Sequence, residues 1–479
     1  MFGLDTWYTI LLLLCILCAC AFEFINGFHD TANAVATVIY TNSLRPSVAV
    51  VLSATMNSIG VFLGGITVAM VIVNLLPIEA LIDQNTWHSI SMVLALLITA
   101  IGWNLGTWYF GIPCSSSHTL IGSILGVGLS FSYISGNFGS GVNWGKAQEI
   151  GLSLLISPAI GFFLSAMLVL ILRSLVKNPK LYKEPEPGKK PPAWIRGLLI
   201  LTCSGVSFSH GSNDGQKGVG LIMLILIGIA PAYFAIDNSF KPEKLLPPIA
   251  KVEQTLGKLQ SQNLGDENNK KIEKATLKLA ELKDLVISNG AAIPKDKAFS
   301  VRTDILLVCS NIEKVLKTGV AKLDSKEKAE LKLAIDGKEG SIFILNDQVI
   351  GLKSATSYSP IWVIVIISLS LGLGTMVGWK RIVITIGEKI GKSHLTYAQG
   401  ASAELVAATT IQMASSLGLP VSTTQVLTGG IAGTMTASGG MKNLQGSTLR
   451  NIGIAWLLTL PVTVVVSGLL FLLLRAFGG

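Results

Sequence analysis

Charge is scarce in this sequence. Only 14% of its 479 residues are Asp, Glu, Lys or Arg, against roughly 25% in an ordinary soluble chain. A water-soluble protein of this length could not cover its surface with so few, and half of the residues are apolar. Cysteine is equally sparse as a framework. Cys15, Cys18, Cys20, Cys114 and Cys203 lie in apolar stretches and Cys309 stands alone in a polar one. No spacing fits a zinc site and no pair faces outward, which excludes a disulfide scaffold and leaves small apolar packing residues. The first apolar run, Trp7 to Phe22, has no basic flank before it and no A-x-A cleavage site, so it reads as a retained membrane segment. The net charge of +9 then belongs to loops at a membrane surface, and no nucleic-acid partner is expected.

Long apolar runs fill the rest. They recur at 46–75, 88–110, 119–130, 147–176, 195–208, 215–236, 358–379, 396–417, 420–437 and 450–475. Most approach the roughly 20 residues that a helix needs to cross the hydrocarbon core. Residues 237–357 break the pattern. "NNKKIEKATLKLAELKDLVI" sets Lys and Glu around Leu, Ala and Ile at helical spacing, which predicts a soluble, mainly helical insert. It carries no EF-hand, phosphate loop or zinc spacing.

Two polar stretches repeat. In "NGFHDTANAV" (26–35) and "SHGSNDGQKGVG" (209–220), Gly27, Asp30 and Val35 correspond to Gly211, Asp214 and Val219 at an offset of 184. In "GIPCSSSHTLIGSILG" (111–126) and "GLPVSTTQVLTGGIAG" (418–433) the offset is 307. The two offsets differ by about the length of the insert, so one duplication interrupted by one inserted domain accounts for both. The expected domains are a first transmembrane repeat (1–176), a basic cytoplasmic linker (177–194) and the start of a second repeat (195–236). The insert (237–357) and the remainder of the second repeat (358–479) follow.

Loop charge sets the orientation. Residues 77–88 hold no Lys or Arg, while 173–196 hold seven, which places the latter in the cytoplasm. Counting one crossing each for 7–43, 46–75, 88–110, 113–130 and 147–176 gives the first half an odd number. The second half then enters from the opposite side, and Lys380, Arg381, Lys389 and Lys392 fall inside. The insert and both termini fall on the extracytoplasmic side. The expected fold is therefore an all-α polytopic membrane protein of about 10–12 transmembrane segments, built as two inverted repeats with broken or re-entrant helices, plus the insert.

The four repeated motifs read as interruptions of membrane helices, tolerated where they line protein or a water-filled cavity. At Pro113 and Pro420 the chain breaks, and Ser115, Ser116, Ser117 and Ser422, Thr423, Thr424 open the next helix. A first helical turn offers unpaired N–H groups and partial positive charge, and hydroxyls beside them suit a tetrahedral oxyanion. Plain N-capping is the rival reading, and Ser422 to Gln425 fits a capping box. Asp30 and Asp214 are intramembrane carboxylates, costly there and functional by default. Asn26, Asn33 and Asn213 add hard amide oxygens for a cation. Glu23 lies one helical turn from Asn26, and Glu404 is a lone carboxylate in an apolar span. Carboxylates repel an anion unless a cation sits between them, so acids and anion-binding turns together predict symport. Gly122/Gly126 and Gly429/Gly433 read as close helix packing.

Together, "NGFHDTANAVATVIYT", "SHGSNDGQKG", "GIPCSSSHTLIG" and "GLPVSTTQVL" resemble the signature segments of the PiT inorganic phosphate transporters, in order and across the membrane part of the chain. The resemblance is strongest to bacterial low-affinity, proton-coupled members. It implies inverted repeats, a homodimer in a bacterial inner membrane, and phosphate between the Asp motifs and the Ser/Thr turns. It also implies cargo that includes neutral complexes of phosphate with a divalent metal such as magnesium. No fixed cofactor or resident metal is expected. Sodium-driven members show G-x-N-D-x-x-N in both halves, whereas this chain has His29 and Lys217 at two of those positions. A fixed Lys217 ammonium in place of a sodium ion argues for a proton as driver, with Asp30, Asp214, His29 or Glu404 titrating. Sodium coupling, a sulfate permease and a phosphate channel remain alternatives. An intramembrane hydrolase is disfavoured, because Ser117 and His118 on one helical turn point apart and the motifs are duplicated.

Overall fold

The computed structural model describes residues 2–76, 86–186, 188–237, 239–289, 292–337, 349–388 and 390–477. It describes the backbone but not the side chains of Thr31, Asn33 and 386–388. The described chain divides into two compact units.

The larger unit holds Thr6–Ile225 and Ser359–Gly479. Its helices are α1 (Thr6–Tyr40), α2 (Pro46–Leu63), α3 (Thr67–Val73), α4 (Thr86–Tyr109), α5 (Ser116–Ile134), α6 (Trp144–Leu175) and most of α7 (Ala193–Ile229). The smaller unit contains Met1–Asp5 and Leu226–Tyr358, with α8 (Leu246–Gln260), α9 (Asp266–Ser288), α10 (Ala298–Lys317) and α11 (Ser325–Asp336). The larger unit resumes with α12 (Ile361–Thr375), α13 (Lys380–Glu388), α14 (Tyr397–Ser416), α15 (Thr423–Gly439) and α16 (Gly446–Ala476). Among the described residues, six helices (α1, α2, α4, α5, α6 and α16) are long and apolar enough to cross a membrane. α6 and α16 expose rows of large apolar side chains, such as Leu155, Phe163 and Leu175 on one and Leu457, Val465 and Leu469 on the other. Such faces are stable in lipid and not in water. The molecule is an all-helical, multi-spanning membrane protein.

Two of the four expected interruptions are absent. Residues 26–35 lie inside unbroken α1, and 209–220 lie inside unbroken α7, which also joins the apolar runs 195–208 and 215–236. Neither helix contains proline, so no backbone N–H of the two motifs is lost to a ring and the helices run through them. The polar side chains there find partners on other elements instead. The Ser/Thr motifs do break the chain. Gly111 and Gly418 adopt φ of +68° and +70°, a left-handed turn that closes the preceding helix, and Pro113 and Pro420 follow. The apolar run 46–75 is also divided, at Gly65 with φ +76°. Residues 77–85 and Lys389, used above for orientation, lie outside the described residues.

Close backbone approaches recur at corresponding positions of the two halves. A Cβ on Gly27 would fall 2.3 Å from Leu371 O, and one on Gly211 would fall 2.1 Å from Asn57 O. α1 thus packs on α12 as α7 packs on α2. Likewise a Cβ on Gly126 would fall 2.0 Å from Val464 O and one on Gly433 would fall 2.1 Å from Phe162 O. The small-residue faces of α5 and α15 lie against the long helices α16 and α6, each from the other half of the sequence.

The smaller unit has its own apolar core, with Ile272, Ala275, Leu279, Leu282 and Val286 forming the buried stripe of α9. Arg302 is its largest fully buried side chain and donates to Ala235 O (3.0 Å) and Thr356 O (2.7 Å). The Asp237 N–H donates to Ala355 O (2.9 Å). The two ends of the unit are thereby fastened together.

Candidate functional site

The helix openings of α5 and α15 meet at the centre of the larger unit, where α1 and α7 bring their polar stretches. Within each opening the three hydroxyls divide their work. Ser115 and Ser422 are N-caps, accepting from the backbone N–H of His118 and of Gln425, both at 3.2 Å. Capping describes these two. The next two positions face the opposing motifs. Ser116 Oγ lies 3.5 Å from Asp30 Oδ2, and Thr424 Oγ1 donates a short bond to Asp30 Oδ1. Ser117 Oγ donates to Val421 O (2.8 Å), across to the other opening. Thr423 Oγ1 is buried with no hydrogen-bond partner among the described residues.

Lys217 is 2% exposed and does not reach towards an interface. Its ammonium donates to Asp214 Oδ1 (2.6 Å), Ser117 Oγ (2.6 Å) and Val421 O (2.8 Å), which uses all three of its protons. The fixed positive charge therefore ties the acid of one half to the helix openings of both. Asn213 performs a different task from a cation ligand. Its amide donates to Ser415 Oγ (3.0 Å) and Leu419 O (3.1 Å), and its oxygen accepts from the Val421 N–H (3.2 Å). It holds the irregular backbone of the 417–422 break, whose polar groups would otherwise be orphaned. His29 occupies the corresponding position of the first repeat and touches Thr107 Oγ1 (3.3 Å), at the end of the helix before the other break. Its Nδ1 lies 3.5 Å from Asp30 Oδ1.

Glu23 and Asn26 form a buried pair, with Asn26 Nδ2 donating to Glu23 Oε2 (3.2 Å). A Cβ on Gly218 would fall 2.4 Å from Glu23 Cγ, so this pair lies against α7 one turn past Asp214. Glu404 is not at the centre. Thr37 and Thr202 each donate to one of its oxygens, the latter at 2.5 Å, about two turns along α1 from Asp30. The Asn33 side chain lies outside the described residues.

His210 is the residue that the sequence reading passes over. Its Nε2 lies 3.7 Å from Asp30 Oδ2 and 3.5 Å from Asp214 Oδ2, between the acids of the two halves. No repeat marks it, since Asn26 stands at the corresponding place in the first stretch, and an isolated His next to Gly carries no signal. Asn57, whose Oδ1 lies 3.0 Å from its Nδ1, and Thr375, which accepts from Asn57 Nδ2 (2.9 Å), come from helices that read only as apolar spans. The cavity bounded by Asp30, Asn57, His210 and Thr423 has a volume of about 10 Å³, room for about one water molecule.

These helices and this centre define a class, a multi-spanning membrane protein whose core joins paired hydroxyl-bearing helix openings to buried carboxylates and one fixed ammonium. The chain belongs to the phosphate transporter family, which it matches over residues 26–467. It is 40% identical to the low-affinity inorganic phosphate transporter PitA of Escherichia coli K12, over 99% of each chain. It is 38% identical to PitB of the same strain, over 98% of this chain and 97% of that one. A Buchnera aphidicola low-affinity inorganic phosphate transporter is 40% identical over 98% and 97% of the two chains. Among solved structures, one described as a sodium-dependent phosphate transporter superposes with a TM-score of 0.53 at 20% identity, covering 98% of this chain and 99% of that one, a similarity of fold. The named relatives are transporters and not enzymes.

Proposed function

We propose that the protein is a secondary active transporter that imports inorganic phosphate by proton symport and alternating access, as the free ion or as a neutral divalent-metal complex. The observation that carries this reading is the convergence of Ser116, Ser117 and Thr424 from two helix openings onto Asp30, Asp214 and Lys217, with Thr423 lining the cavity beside Asp30. Two N-terminal turns with hydroxyl donors suit phosphate oxygens. Two carboxylates against one ammonium leave negative charge beside that anion, which favours cargo brought with a cation or a proton. Phosphate can also donate a hydrogen bond to a carboxylate and sulfate cannot, which favours phosphate over sulfate.

The about 10 Å³ cavity at the centre is far too small for phosphate. Loading therefore requires the Ser117–Val421 contact between the openings and the Thr424–Asp30 contact to α1 to part. The corresponding helix packings of the two halves support two inverted repeats that exchange access to opposite sides. The same reading places the chain in a bacterial inner membrane as a homodimer, with residues 237–357 and both termini extracytoplasmic.

Lys217 decides the driver in this reading. A tethered ammonium holds permanently the place a sodium ion would occupy and cannot be co-transported, which leaves the proton. Sodium coupling is the second reading, favoured by the Asp and Asn residues common to the motifs. Radiolabelled phosphate uptake into proteoliposomes separates the two, with pH and sodium gradients imposed independently and magnesium varied. Accumulation under an inward proton gradient without sodium is expected. Accumulation only under sodium would discard the Lys217 argument, and accumulation under neither gradient would discard symport of phosphate.

A further inference from the structure

Three side chains from α1 and α7 bring polar atoms together at the centre of the larger unit. Asp30, His210 and Asp214 each offer one atom within 4.8 Å of the others. All three residues are more than nine-tenths buried. His210 Nε2 and Asp214 Oδ2 have no hydrogen-bond partner among the described residues. Buried polar atoms left in this way are rare and costly.

The orientation of the ring is set by a directional chain of hydrogen bonds. The Thr375 hydroxyl donates to Leu371 O (2.9 Å), so its oxygen accepts from Asn57 Nδ2 (2.9 Å). With its nitrogen turned to Thr375, Asn57 presents Oδ1 to His210 Nδ1 at 3.0 Å, and Nδ1 must donate. With Nδ1 donating, a neutral ring would aim the Nε2 lone pair at two carboxylate oxygens, so the point where the three atoms converge calls for positive charge, a proton on Nε2 or a bound cation. A second group fixing the donor nitrogen of an imidazole is also how protein metal ligands are held.

We propose that Asp30, His210 and Asp214 form the binding site of a divalent cation that travels with phosphate. The proposal rests on the reading that phosphate is carried with a cation. One imidazole nitrogen and two carboxylate oxygens suit a transition-metal dication such as manganese(II) better than sodium. Three further polar contacts agree with this assignment. Lys217 occupies Asp214 Oδ1 and leaves Oδ2 for the cation. Thr424 occupies Asp30 Oδ1, and Ser116 stands beside Oδ2. A cation on Asp30 therefore lies against the opening of α5, where phosphate oxygens would be received. Because its ligands come from α1 and α7, the cation joins the two halves of the chain.

The test uses the purified full-length protein, manganese(II) alone and pulsed electron paramagnetic resonance. Directly coordinated imidazole imprints a ¹⁴N modulation on the manganese echo. The wild-type protein is expected to show it, and His210→Gln is expected to lose it and to bind manganese at least about tenfold more weakly. Thr375→Val leaves all three ligands in place but frees Asn57, so the modulation should persist with affinity down about tenfold. Manganese bound without ¹⁴N coupling would overturn the assignment, and so would no manganese binding by protein that elutes as a folded species. Phosphate uptake is measured in parallel in proteoliposomes. Gradient-driven uptake without the ¹⁴N signature would reject this site alone. Absence of uptake by the wild-type protein would reject the underlying function.

Discussion

At the scale of single residues, the hydroxyls of the two helix openings carry different expected costs. Ser115 and Ser422 satisfy N-terminal N–H groups of α5 and α15, so Ser422→Ala is expected to cost about 1 kcal/mol of stability with phosphate uptake largely kept. Thr424 bonds Asp30 across the two halves, so Thr424→Ala is expected to lower uptake at least about tenfold, the effect of one charge-assisted hydrogen bond. Thermal unfolding in detergent and proteoliposome uptake on the same preparations separate the two outcomes. Lys217→Asn removes the fixed ammonium and is expected to make uptake sodium-dependent. Unaltered proton and sodium dependence in that variant would show that the ammonium does not stand in for a coupling ion.

Among the helices, close approach of backbones is what fixes the arrangement. Gly433 lies under Phe162 O with no room for a Cβ, and any larger side chain must push α15 away from α6. Gly433→Val is expected to destabilise the protein by about 3 kcal/mol or more and to reduce the yield of folded material. Gly197, near the start of α7, has nothing within 4 Å of a Cβ position. Gly197→Ala is therefore expected to be neutral or to stabilise by up to about 1 kcal/mol. Paired melting curves check the contrast. The GxxxG spacing was legible in the sequence as a packing signal. Which helix it meets was not, because the partners, Val464 for Gly126 and Phe162 for Gly433, belong to the other half of the sequence and only the assembled bundle brings them near.

Across the whole molecule, the smaller unit has a core of its own, and two of its side chains give it distinct chemistry. Arg302 bonds Ala235 O and Thr356 O at its two ends. Arg302→Met leaves both carbonyls without that donor, at an expected cost of about 2–4 kcal/mol, read as a lowered unfolding midpoint of this unit by circular dichroism. Burial pushes the Cys309 thiol up to about 12, against about 8.5 in an unfolded chain. A raised thiol pKa favours the protonated form in the fold. Its contribution is thus fully present below about pH 8.5 and declines as pH rises towards 12, by at most about 1.4 kcal/mol per pH unit. At pH 8 a maleimide should leave Cys309 unlabelled until the unit is unfolded.

Composition and periodicity alone determined that this chain lives in a membrane, that its polar stretches occur in pairs and that a charged helical segment interrupts them. These are local properties, since a shortage of charge, an apolar run or a proline after glycine acts wherever the chain goes. The breaks at Pro113 and Pro420 followed from the same local chemistry. The continuity of α1 and α7 through their Asp motifs did not, because it depends on distant partners for the side chains. Tertiary structure also decided which polar residues work together. It sent Asn213 to hold a break, set Glu404 apart between two threonines, buried Lys217 against both openings and placed His210 between Asp30 and Asp214. A buried charge or imidazole must be answered by groups that arrive from elsewhere in the chain, and only the folded molecule determines which ones do.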